Sequence, residues 1–140
     1  MDVVRLVVAW RLPQLVEGMA RAMSEQEGIE VVGTALDSSE TVEVVGETIP
    51  DVLLMNVELP GVGGPAVIAR MSSEYPSVGV VVLCNLPGSE LVPAAVDNGA
   101  RGALMVDGSL RELVNAVRLV ASGRTYIAPF LVHLCSRPGD

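Results

Sequence analysis

At 140 residues the chain has the length of one domain with a single core. Half of its residues are apolar but only 3% are aromatic, so that core has to be built from Val, Leu, Ala, Ile and Met. A net charge of −8 excludes a surface made to grip nucleic acid, which needs clustered cations. The absence of any Lys (all nine cationic residues are Arg) excludes chemistry that needs an amine side chain. Cys84 and Cys135 stand far apart with no C-x-x-C spacing, the usage of a reduced, intracellular chain. The amino terminus runs from Asp2 straight into Val3-Val4-Arg5-Leu6-Val7-Val8-Ala9, which reads as a strand and not as a signal peptide. With no apolar run of membrane-spanning length, a soluble, cytoplasmic protein without membrane contact is expected.

Short, near-continuous apolar runs recur along the chain, the pattern of parallel strands covered on both faces. After the first, Val3–Ala9, the residues Leu12, Leu15, Val16, Met19 and Met23 fall at helical spacing and form one apolar stripe. The second strand, Glu30–Ala35, leads to a helix marked by Val42, Val45 and Ile49, with Ser38 or Ser39 as its cap. The third, Val52–Met55, precedes a helix with Pro65 in its first turn and Val67, Ile68 and Met71 on its buried face. The fourth, Val78–Leu83, is followed by a Pro87-Gly88-Ser89 turn, where Ser89 caps a helix that holds Pro93 in its first turn.

The fifth strand, Gly102–Val106, leads to a helix from Ser109 to about Ser122. Ser109 and Glu112 make an S-x-x-E capping box, and Gly123 is its stop. In that helix Leu110, Leu113, Val114, Val117 and Val120 are expected on the sheet, with Ala116 and Leu119 extending the apolar band sideways. Five β-α units in succession predict an α/β fold. It is a five-stranded parallel sheet, doubly wound as a (βα)5 three-layer sandwich of the flavodoxin-like type, with right-handed crossovers. Residues 1–123 make up this domain. Residues 124–140 are read as an extension in which Tyr126–Leu131 covers the end of the last helix and Ser136–Asp140 begins a linker.

Sheets of this kind carry their chemistry at the C-terminal strand ends, near the topological switch point. There the chain reads Pro50-Asp51-Val52-Leu53-Leu54-Met55-Asn56-Val57-Glu58-Leu59-Pro60-Gly61-Val62-Gly63-Gly64. This resembles the P-D-(V/L)-(V/L)-L-(L/M)-D-x-x-(L/M)-P-G-x-x-G segment of response-regulator receiver domains. Asn98-Gly99-Ala100-Arg101-Gly102-Ala103-Leu104 is similar to the A-G-A-(R/S)-G-Y-(L/I) run entering their fifth strand. Gly123-Arg124-Thr125-Tyr126-Ile127-Ala128-Pro129 is similar to the G-x-x-Y-I-x-P ending of the NarL/FixJ type. The resemblance spans about residues 3 to 131 and implies a CheY-like receiver fold.

It also implies a phosphorylation site, and this sequence departs from that site at every position. Receivers transfer phosphoryl to an Asp beside Mg²⁺ held by acidic residues, with a Lys and a hydroxyl on the phosphoryl group. The phosphoacceptor position holds Asn56, a neutral amide with N–H donors. The acidic pair of V-V-A-D-D-x-P is replaced by Trp10 and Arg11. The hydroxyl position is Cys84, the Lys position Val106 and the aromatic position of the fifth strand Ala103. Glu58 occupies a position that gives the family's metal a backbone carbonyl, which leaves its side chain free to vary. Neither a metal, a cofactor nor a catalytic residue is expected.

What fills the site remains open between several readings. Arg11 either hydrogen-bonds Asn56 and Glu58, holding the loops in one state without metal, or receives an anionic ligand or a partner's carboxylate, or points to solvent. Trp10 either plugs the vacated pocket or offers a platform to a flat ligand or a partner. Cys84 is a small buried replacement for Thr, or a thiol that Arg11 makes reactive. His133 has no partner spacing for metal or triad chemistry.

An enzyme is not expected, because no nucleophile–base pair, Gly-rich phosphate loop or metal cluster can be assembled. The expectation is a regulatory domain of a transcriptional regulator, working without Asp phosphorylation. It would act through homodimers on a helix one/helix five or a helix four–strand five–helix five face, with DNA contacted only by a helix-turn-helix domain beyond Asp140. The alternative is a small-molecule sensor using the altered pocket around Trp10 and Arg11.

Overall fold

A computed structural model of the chain describes residues 3–85 and 90–135, with Leu134 by its backbone alone. Strands and helices alternate: β1 (Val4–Ala9), α1 (Pro13–Ser24), β2 (Ile29–Ala35), α2 (Ser38–Thr48), β3 (Val52–Asn56), α3 (Gly64–Glu74), β4 (Gly79–Cys84), α4 (Leu91–Asp97), β5 (Gly102–Met105), α5 (Leu110–Ala121), β6 (Tyr126–Ile127) and α6 (Pro129–Cys135). The sheet runs β2-β1-β3-β4-β5-β6 with every pairing parallel. The first five strands end within one residue of the apolar runs that mark them in the sequence.

The expected five-stranded sheet needs one correction, because it has six strands. β6 joins the outer edge of β5, with Tyr126 opposite Gly102 and Ile127 opposite Ala103. Tyr126 N donates to Arg101 O and Ala128 N to Ala103 O, so backbone groups that an open edge would leave to water are paired. Two residues are too short a run for sequence periodicity to reveal. α6 follows and packs against α4, with Leu131 fully buried. Both β6 and α6 lie inside the segment 124–140. Its last residues, 136–140, lie outside the described residues, as does the Pro87-Gly88-Ser89 turn with its Ser89 cap.

Side chains alternate along each strand between two cores, which explains why the strands read as unbroken apolar runs. Leu6, Val8, Leu54, Leu83 and Leu104 face α1 and α5, where they meet Met23, Leu113 and Val117. Val7, Leu53, Met55, Val82 and Ala103 face the other side, where Val45, Ile68, Met71, Val92 and Leu131 cover them. In α1, Val16 and Met23 are buried, whereas Leu12 and Leu15 are 38% and 44% exposed. In α5, Ala116 belongs to the core and Leu110 stays 44% exposed, the reverse of the order that helical spacing alone suggests.

The α2 cap differs from the expected one, whereas Ser109 caps α5 as expected. Asp37 caps α2 by accepting from Glu40 N, while the Ser38 hydroxyl donates to Pro60 O and is buried under the β3–α3 loop. Ile49 ends that helix in the left-handed conformation (φ 42°) and is 46% exposed, so it leaves the buried stripe.

In α5, Ser109 Oγ accepts from Glu112 N, but the Glu112 carboxylate accepts from the Tyr126 hydroxyl at 2.6 Å. That bond ties α5 to β6 and, with burial and the carboxylate's charge, raises the Tyr126 pKa above the usual phenol value. Because the folded value is the higher one, the bond stabilises the fold below about pH 10. Its contribution is lost as pH rises through the raised pKa. Tyr126→Phe is therefore expected to cost about 1 kcal/mol at neutral pH. In denaturant titrations the difference should close above about pH 10. A difference that is independent of pH would show that the phenol proton is not involved.

Candidate functional site

The C-terminal ends of β1, β3, β4 and β5 bring the singled-out residues to one edge of the sheet. Parallel pairing sets their neighbours, with Ala9 beside Met55, Asn56 beside Leu83, and Cys84 beside Met105. Asn56, the last residue of β3, is a buried polar side chain at 4% exposure. Its Nδ2 donates to Asn85 Oδ1 at 2.7 Å, and its Oδ1 accepts from Glu58 N at 2.9 Å. Val57 N donates to Leu83 O and Val106 N to Cys84 O, which closes the loops onto the strand ends. Among the described residues no buried side-chain polar atom lacks a partner.

Trp10 continues β1 beyond Ala9, its N–H donating to Ala35 O. Its side chain is 5% exposed and belongs to the α1/α5 core. Arg11 is exposed and makes no hydrogen bond or salt bridge to a described residue, which corrects the reading in which it holds Asn56 and Glu58. Asn85 takes that role because β4 lies beside β3 and delivers a short amide at the right height. The guanidinium keeps its hydration in solvent instead. Glu58 contributes its backbone N–H while its side chain is exposed. Cys84 is fully buried, so its sulfur is out of reach of solvent reagents. Ala103 is buried, Val106 partly so, and His133 lies on α6 against Phe130. Sequence reasoning missed Asn85. Its one signal was a lone amide directly after an apolar strand.

A hard divalent cation selects carboxylate and carbonyl oxygens. At the ends of β1 and β3 the chain offers an indole, a guanidinium and an amide whose oxygen already accepts from Glu58 N. These side chains do not fit the Mg²⁺ that the receiver resemblance implies. Next to them, a groove of about 530 Å³ opens between α1 and α5, with Trp10 and Asn85 in its lining.

The model of the response regulator receiver domain matches residues 12–118. The response regulator GacA of Pseudomonas syringae pv. syringae is 33% identical over 112 residues, covering 80% of this chain and 52% of its own. The transcriptional regulatory protein NarL of Mycobacterium tuberculosis is 35% identical over 129 residues, covering 92% and 60%. The chain therefore spans about half the length of the curated relatives it matches. Among solved structures, the receiver domain of M. tuberculosis NarL superposes with a TM-score of 0.83 at 33% identity, over 89% of this chain and all of that one. The isolated receiver domain of RcsB from Salmonella enterica serovar Typhimurium shares the fold at TM-score 0.84 and 20% identity, over 96% of this chain and all of that one. Among the described residues no helix is long and apolar enough to cross a membrane.

Proposed function

The chain belongs to the response regulator receiver family, and from that premise we propose that it is a regulatory domain whose output does not depend on phosphorylation of an Asp. The observation that carries this reading is Asn56. At the end of β3 stands an amide, buried and bonded on both sides to Asn85 and Glu58 N. An amide is a poor nucleophile, and the indole and guanidinium beside it supply no cation site. The Asn56–Asn85 bond links the β3 and β4 loops directly, and it holds them in one arrangement with neutral groups alone.

The relatives named above are response and transcriptional regulators, which supports a role in controlling transcription. With a net charge of −8, this domain is suited to protein contacts and not to DNA. We infer that DNA is reached through a separate helix-turn-helix domain. Output passes through self-association on the α1/α5 or the α4–β5–α5 face, or through contact with that domain.

Incubation with acetyl phosphate and Mg²⁺ should leave the intact mass of the chain unchanged, and a gain of one phosphoryl mass would overturn the reading. Sedimentation over a range of concentrations should show dimers without any phosphodonor. A strict monomer would remove the self-association part and leave domain contact.

A further inference from the structure

We propose that the groove between α1 and α5 is a binding site for one neutral, largely apolar small molecule. The groove measures about 530 Å³, inside the range of roughly 300–1,000 Å³ typical of small-molecule sites. Its floor reaches the core, where Trp10, Leu83 and Leu104 are 5%, 2% and 1% exposed. Met19 and Leu113 line it as well. No charged side chain is found among the described residues that line it, although the chain as a whole carries a net charge of −8. An uncharged, apolar lining selects an uncharged, apolar occupant, because an ion would leave water without a counter-charge to meet it.

Gly18 gives a second, independent sign that the space is kept open. It sits in the middle of α1 and lines the groove, yet a Cβ built there meets nothing within 4 Å. Neither crowding nor a left-handed backbone calls for glycine, and glycine is the least favoured helix-interior residue after proline. What its missing side chain does is leave the mouth clear. Self-association on the α1/α5 face would rest on the exposed Leu15 and Leu110, which leaves the buried floor of Trp10, Leu83 and Leu104 to a small occupant. A small molecule fits both the depth and the neutrality.

The site also has a route to the β3 edge. Asn85 lines the groove and accepts from the Asn56 amide, so an occupant that engages Asn85 acts on the bond joining the β3 and β4 loops. The sensor reading drawn from the sequence thus moves from the Arg11 and Glu58 side of Trp10 to its α5 side, and from an anionic ligand to a neutral one.

Trp10 is the only Trp, so it serves as the reporter. Titrating the neutral fluorophore N-phenyl-1-naphthylamine into the intact chain should give saturable energy transfer from Trp10 at one probe per chain. The anionic 8-anilinonaphthalene-1-sulfonate should bind at least about tenfold more weakly. Gly18→Leu should reduce binding of the neutral probe by about tenfold or more, while its melting temperature stays equal to or above that of the parent. Gly18→Ala adds one methyl, and it should bind the probe as the parent does and melt higher. Transfer that does not saturate overturns the proposal, as does probe binding unchanged in Gly18→Leu. So does Gly18→Leu converting a dimer to a monomer in sedimentation without changing probe binding, which would make the groove a contact between copies. No phosphodonor enters these measurements, so a failed acetyl phosphate test leaves them standing.

Discussion

Trp10→Ala is expected to lower the free energy of unfolding by about 3 kcal/mol, a fall in melting temperature of roughly 10 °C for a domain of this size. The indole is 5% exposed and packs in the core between the sheet and α1/α5. Removing it takes away the burial of a large apolar surface. The figure lies at the low end for a buried aromatic because one side of Trp10 already lines the groove, where water can refill the space. Circular dichroism is the measurement to use, since the substitution removes the only Trp. A loss below about 1 kcal/mol, the ordinary size of a point-mutant effect, would mean that Trp10 does not belong to the core. Trp10→Phe should recover most of the loss.

Gly64→Ala is expected to cost about 3 kcal/mol by a different route. Gly64 is the first residue of α3, where the β3–α3 loop turns back across Val57. A Cβ there would stand 2.2 Å from Val57 O and 3.0 Å from Val57 C. Those are backbone atoms of the strand end that also places Glu58 N on Asn56, so no side chain can swing away to relieve the overlap. Gly18→Ala is the matched control, because the same added methyl meets open space. It should stabilise by up to about 1 kcal/mol. If the two variants shift the denaturant midpoint in the same direction, the steric account of Gly64 is wrong.

Much of this architecture was legible because its signals are local and repeated. Apolar runs marked β1 to β5 within one residue, and Pro65 and Ser109 fixed two helix starts, since both act through their own turn of backbone. β6 was not legible. Its two residues are held by pairing with Gly102 and Ala103, partners more than twenty positions away that periodicity cannot see. The misplaced α2 cap has a similar cause, because Ser38 is diverted to Pro60 O by the β3–α3 loop and Asp37 is left to accept from Glu40 N.

At the site, Asn56, Trp10 and Arg11 were found through the motif that surrounds them, but their partners were not. Which amide meets Asn56 depends on the order of strands, and β4 lies beside β3 where β1 also does. Sequence reasoning favoured the charged neighbour from β1. The buried edge favours the one that brings no charge.

The strand order has a consequence for how the chain folds. β1 pairs with β2 and β3, so the first three strands form a contiguous half-sheet with no help from the rest. From β3 onward each strand docks on its immediate predecessor, β4 on β3, β5 on β4 and β6 on β5. A nascent chain emerging from its amino end therefore meets a finished template at every step, and the sheet extends in one direction in the order of synthesis. Each addition closes only the loop of one crossover, which keeps the entropy of each step small. The last two-residue strand completes that series and latches the sheet through the Tyr126–Glu112 bond.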